Sequence, residues 1–203
     1  MFSSFRARTL LVLALLVVVC ASPLFAQARP AAAPAAKAQA PVFLTSCGQS
    51  PGAVTVGVFL RRLKIDYDLK ETGTVKDLAA KPYKTIIIVT GSSLKGMGGA
   101  GVSIDDELGR AGALIAEAKK RGIQVIGAHV EGMERRARNA APGDNSDEMS
   151  IDAVCPKAQM LIVRKDGDED GRFTTLSKKF KVPVVFYEKS LELNTVLKNV
   201  FGQ

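Results

Sequence analysis

The chain has no tryptophan, three tyrosines, one histidine and three cysteines. Each shortage removes a class of function. With so few aromatics there is no platform on which successive bases could stack, which argues against a nucleic-acid partner. One histidine and no Cys/His set at zinc spacing leave no zinc site, and the lack of Cys-x-x-Cys leaves no dithiol exchange centre. Neither a Gly-x-Ser-x-Gly elbow nor a P-loop occurs, so serine-elbow and nucleotide hydrolases lack their signatures. Also missing is an apolar run of the roughly 20 residues that a spanning helix requires.

What is present begins with a targeting pattern. Arg6 and Arg8 precede an apolar run, Leu10 to Val19, followed by small residues. Residues 1–26 therefore read as a secretory signal peptide, with cleavage after Ala26 or Ala28 and a periplasmic or secreted product. No stable membrane span remains after that cleavage. Residues 27–41, rich in Ala and Pro, have no apolar period and read as a linker. Residues 42–203 are the size of a single domain.

The formal charge of +8 needs trimming. Without Arg6, Arg8, Arg29 and Lys37 the folded part keeps 24 basic residues against 20 acidic, or +4. Those residues are scattered, which is a solvated surface and not a nucleic-acid footprint. Cys20 leaves with the signal peptide, so Cys47 and Cys155 remain in a compartment that permits disulfides. A bridge needs Cα atoms within about 7 Å, and the strand reading places the two toward opposite ends of the sheet. Bridged and free states both stay open.

The domain alternates short apolar runs with amphipathic segments. Strands are expected at Val42–Thr45, Ile65–Leu69, Thr85–Thr90, Ile123–His129, Met160–Arg164 and Val184–Tyr187. Helices are expected between them; in the longest, Ser103 and Asp106 form a capping box and Gly122 ends it. Thr85–Thr90 is apolar on both faces, as the centre of a parallel sheet requires. The pattern predicts a doubly wound α/β fold: a mostly parallel six-stranded sheet in a flavodoxin-like or Rossmann-like three-layer sandwich, strand order 2-1-3-4-5-6. Ligands bind such sheets beyond the carboxyl ends of the strands, where the order reverses. That rim carries SCGQSPG (residues 46–52), SSLKGMGGAGV (residues 92–102) and the loop after His129.

The segments LTSCGQS (Leu44–Ser50), VTGSSLKGMGGAGVSIDDEL (Val89–Leu108), HVEG (His129–Gly132), GDNSDE (Gly143–Glu148) and RKDGDEDGRFT (Arg164–Thr174) resemble a family of uncharacterised secreted bacterial proteins, a domain of unknown function. The resemblance implies secretion and an α/β domain. It carries over no activity and no catalytic residue.

The chemistry must then come from the residues. Gly96, Gly98 and Gly101 match G-x-G-x-x-G, but the motif starts six residues beyond Thr90, and Asp105, Asp106 and Glu107 open the next helix with charges that repel phosphate. A glycine loop shaped to approach some other small ligand is the functional alternative, with Ser92, Ser93, Lys95, Gly98 and Gly99 presented to it; a purely structural loop is the other. Asp166, Asp168 and Asp170 before Gly171 resemble the first half of a calcium loop, so Ca2+ is the candidate cofactor there. Its twelfth position is Ser177 where a bidentate Glu belongs, and an acidic surface turn accounts for the residues equally. His129 closes the fourth strand, where a general base could sit. Cys47, with Gly48 and Gln49, precedes a helix where a thiolate could be stabilised, or is a half-buried thiol. Glu131, Glu134, Arg135, Arg136 and Arg138, followed by Asp144, Asp147 and Glu148, make the long loop after His129 strongly charged with both signs; either its arginines close on a carboxylate or phosphate, or the loop is solvated and pairs with itself.

These residues support an extracytoplasmic domain that holds a small anionic ligand at the carboxyl edge of its sheet. The alternatives are a secreted hydrolase or transferase using Cys47 or Ser92/Ser93 with His129, and an envelope protein-interaction module.

Overall fold

The computed structural model describes residues 37–137 and 145–203. In order these form β1 (Val42–Ser46), α1 (Gly52–Arg62), β2 (Tyr67–Leu69), α2 (Val75–Ala79), β3 (Thr85–Val89), α3 (Leu94–Ala100), α4 (Ile104–Lys120), β4 (Gln124–His129), α5 (Ser146–Val154), β5 (Met160–Arg164), α6 (Arg172–Phe180), β6 (Val184–Tyr187) and α7 (Leu193–Val200). The six strands form one sheet in the order β2-β1-β3-β4-β5-β6, and every pairing is parallel. Among the described residues no helix is long and apolar enough to cross a membrane. The signal-peptide and linker readings lie outside the described residues up to residue 36, as do Arg138 and Asp144 of the charged loop.

The layers follow from strand alternation. In β3, Ile86 and Ile88 join the apolar cluster that receives Leu114 and Ile115 of α4, Ile151 of α5 and Phe173 of α6. Ile87 and Val89 point the other way, into a cluster closed by Val56 and Leu60 of α1 and Leu197 of α7. A strand between two helical layers is covered on both faces, and β1 and β3 are buried throughout. The order in which strands are added reverses between β1 and β3. That switch point sets where loops converge.

The segment expected as a glycine loop is a helix over most of its length. The Ser93 hydroxyl caps α3 by accepting the Gly96 N–H, and Gly101 ends it in the left-handed conformation at φ +67°. Met97, 5% exposed, anchors it to the domain. Capping signals and one buried side chain outweigh the low helix propensity of three internal glycines. The edge strand is also shorter than expected, because Ile65 closes the end of α1 by donating its N–H to Leu60 O at 3.0 Å.

The buried centre of β1 yields a stability prediction. Leu44 is fully buried. Leu44→Ala is expected to lower the unfolding free energy by about 2–5 kcal/mol with an unchanged denaturant slope, measured by urea titration.

Candidate functional site

The loops after β1, β3 and β4 meet at the carboxyl rim, and there they bind one another. Gln49 pairs with Ser92 in an isolated antiparallel bridge, and Ser93 N–H donates to Gly48 O at 2.7 Å. Gly48 takes φ +97°, and a Cβ there would lie 2.9 Å from Ser92 Cα, so only glycine lets the loops approach so closely. The Gly48 N–H donates to Glu107 Oε2 at 2.8 Å. From α5, Ser150 Oγ donates to Cys47 O at 2.7 Å and accepts the Gly91 N–H at 3.0 Å. Ser92 N–H donates to Asp147 Oδ1 at 2.6 Å, and its hydroxyl meets Ser146 Oγ at 2.5 Å. The crevice between β1 and β3 is filled by protein.

The charged loop after β4 folds inward. His129 is fully buried, with Nε2 on Gly132 O at 2.9 Å and Nδ1 on Thr90 Oγ1 at 3.2 Å. A carbonyl only accepts, so Nε2 carries the hydrogen and Nδ1 is the acceptor. Burial, aided by the Arg136 charge, brings its pKa down to about 4. The ring lies 4.9 Å from Phe173 and does not pair with Cys47, Ser92 or Ser93. Arg136, expected to reach for a ligand, is buried: it binds Glu148, donates to Gly167 O at 2.6 Å and to Asp170 Oδ2 at 2.7 Å. Arg135 donates to Glu131 Oε1 at 3.2 Å and Ser92 O at 3.1 Å. Glu131 also accepts from Ser50 Oγ and, at 3.2 Å, from Gly52 N–H at the start of α1.

The three aspartates expected to ring a cation diverge instead. Asp166 pairs with Arg164 at 2.7 Å, which holds its carboxyl below the usual range. Asp168 accepts Phe173 N–H at 2.6 Å and Thr174 Oγ1 at 2.5 Å, serving as the brace of α6. Asp170 faces Arg136. Asp166 and Asp168 lie in a 3₁₀ turn, Lys165–Asp168, and Asp170 beyond its end, so the three carboxylates leave the chain in different directions. Among the described residues no three metal-ligating side chains converge. Cys47 and Cys155 are free, buried thiols in the same apolar cluster, and burial lifts Cys47 to about 11 and Cys155 higher still. A neutral buried thiol is a poor nucleophile.

An open cleft of about 620 Å³ lies one strand over, above the β2-β1-β3 side of the same rim. One wall is the loop Lys70–Gly73 with Asp77 of α2; the other is α3 at Gly96, Gly99 and Ala100; Gln49 spans between them. Gln49 Nε2 donates to Glu71 O at 3.1 Å, and Arg110 donates to Gly73 O at 3.1 Å, so the Lys70–Gly73 wall is fixed to the β1 loop and to α4. Of the residues expected at the site, Gln49 and Gly99 line this cleft. Ser93 caps α3, while Lys95 and Gly98 are exposed on it. Lys70, Glu71, Thr72 and Asp77 were not foreseen. Their only sequence signal is position: they follow an expected strand at its carboxyl end.

The family model for DUF6305, a domain of unknown function, matches residues 39–201, and the chain belongs to that family. No curated protein matches it. Among solved structures, a GDSL-like lipase from Bacteroides thetaiotaomicron VPI-5482 is similar at 14% identity over 72% of this chain and 67% of that one, with TM-score 0.34. The acetyl xylan esterase AlAXEase is similar at 9% identity over 80% of each chain, TM-score 0.37, and TesA at 13% over 80% and 97%, TM-score 0.33. At such scores the function has to be argued from this chain's own residues.

Two outcomes follow from the buried rim. The unfolded chain binds a proton on His129 near pH 6.5, whereas the native ring resists protonation down to about 4. Stability contributed by the neutral ring is therefore complete above pH 6.5 and falls as pH drops through that window, by about 1.4 kcal/mol per pH unit. His129→Asn is expected to flatten the dependence of urea-unfolding free energy between pH 7 and 5. Because each of Asp166, Asp168 and Asp170 is already engaged, EDTA is expected to leave Tm unchanged; a fall of several degrees removed by Asp168→Ala would establish a cation there.

Proposed function

We propose that the chain is an extracytoplasmic α/β domain that binds a small polar molecule in the cleft between the Lys70–Gly73 loop and α3. The observation carrying this reading is the cleft itself: about 620 Å³, open, and beside the reversal of strand order. The N-terminal pattern of residues 1–26 supports the compartment. An anionic ligand is less well matched than the sequence suggests, because Arg135 and Arg136 are committed to internal partners. A hydrolase that pairs Cys47 or Ser92/Ser93 with His129 is less well matched, because both nitrogens of His129 are engaged elsewhere.

Gly99 provides the test. A Cβ at Gly96 would meet Gln49 O at 2.7 Å, so glycine is required there by the protein itself. At Gly99 a Cβ would meet nothing within 4 Å, and the residue lines the cleft. Gly99→Ala is expected to raise the unfolding free energy by about 0.5–1 kcal/mol through helix propensity. Gly99→Leu is expected to obstruct the cleft. Native mass spectrometry of the mature protein from its own host should show a retained small molecule on the wild type and none on Gly99→Leu. A retained mass that is indifferent to Gly99→Leu would place the ligand elsewhere.

A further inference from the structure

Resting on the cleft being the ligand site, we infer that its ligand carries both charges: a small zwitterion of the free amino acid type. The charged lining is of both signs. Lys70 stands on the same wall as Glu71 and Asp77: the Gly73 N–H to Lys70 O bond at 3.0 Å closes the turn that carries Lys70 and Glu71, and Asp77 follows on α2. Asp77 Oδ2 accepts the Thr74 N–H at 2.9 Å and its hydroxyl at 2.6 Å, which holds the carboxylate at the start of α2 beside the cleft. Lys70 and Glu71 are exposed at the rim.

A lone anion finds the wrong balance here. Two carboxylates outnumber one ammonium on the lining, and Arg110, beneath Gly73, is consumed by Glu107, Thr45 Oγ1 and Ser46 O. A stacked ring finds no partner either, since among the described residues the lining has no aromatic side chain and Leu69 is its only large apolar one. A molecule with an ammonium for Glu71 and Asp77 and a carboxylate for Lys70 meets both signs at once, and the bare helix surface at Gly99 leaves room for its remaining atoms. These pairs are exposed to solvent, so binding weakens as salt rises.

The test is isothermal titration of the full mature chain at low ionic strength with each standard free L-amino acid, with its decarboxylated amine and with its deaminated acid. One or more amino acids should bind saturably, with the matched amine and acid each about tenfold weaker or worse. Lys70→Ala and Glu71→Gln should each weaken the amino acid about tenfold; Glu71 lies outside the α2 capping box, so that variant tests the pole even if Asp77→Asn unfolds. Equal binding of the deaminated acid, or an amino acid affinity unchanged in Lys70→Ala, overturns the zwitterion. If no probe binds while a host-derived mass is still lost in Gly99→Leu, the ligand class is wrong and the cleft stands. If both fail, the cleft reading falls with it.

Discussion

The rim of this sheet depends on a buried carboxylate and the half-buried guanidinium that it holds in the first turns of α4. Glu107 is 1% exposed; it accepts the Gly48 N–H and holds Arg110 through both oxygens. Burial pushes the Glu107 carboxyl upward, but Arg110 and the Gly48 N–H outweigh it and the group sits below its ordinary value. Arg110 extends the contact to Thr45 Oγ1, Ser46 O and Gly73 O. One pair thus ties the end of β1, the loop after it and the loop after β2 to a helix. Removing Arg110 would strand the Glu107 charge out of water, the kind of loss that costs about 3–5 kcal/mol. Through Gly73 the same pair sets one wall of the cleft.

A second charged network closes the far half of the rim. Arg136 is held by Glu148, Asp170 and Gly167 O, and lies 5.6 Å over the Phe173 ring; Arg172 reaches Glu148 and Asp152 from α6. The β4 loop, α5, the turn after β5 and α6 therefore share one set of ion pairs. His129 sits among them with both nitrogens satisfied. Together the two networks explain why the space at the strand reversal is filled and the open space lies beside β2, whose loop is held at Gly73 but carries exposed Lys70 and Glu71.

Much of the architecture was legible because it rests on local pattern. Val184–Tyr187 and Met160–Arg164 are strands with the bounds their β-branched runs suggest, and the all-parallel order follows from the alternation of strands and helices. The capping box of Ser103 and Asp106 is formed as read. The glycine segment was misjudged because propensity alone hides a helix pinned by Ser93, Met97 and Gly101. The calcium-like spacing of Asp166, Asp168 and Asp170 misled for a related reason: spacing along the chain says nothing of direction once a 3₁₀ turn intervenes.

By itself the sequence determined the class of fold and the rim at which loops must converge, because hydrophobic period and capping residues are local signals. Only the tertiary structure decided which side chains at that rim face inward. Arg136 and His129 look like ligand contacts in a row of letters, yet they are buried because partners from α5, α6 and the turn after β5 complete them. Lys70 and Gly99, unremarkable in sequence, border open space because no other part of the described fold covers them. Pairing across long separations is a property of packing, and it is packing that distinguishes a brace from a binding surface.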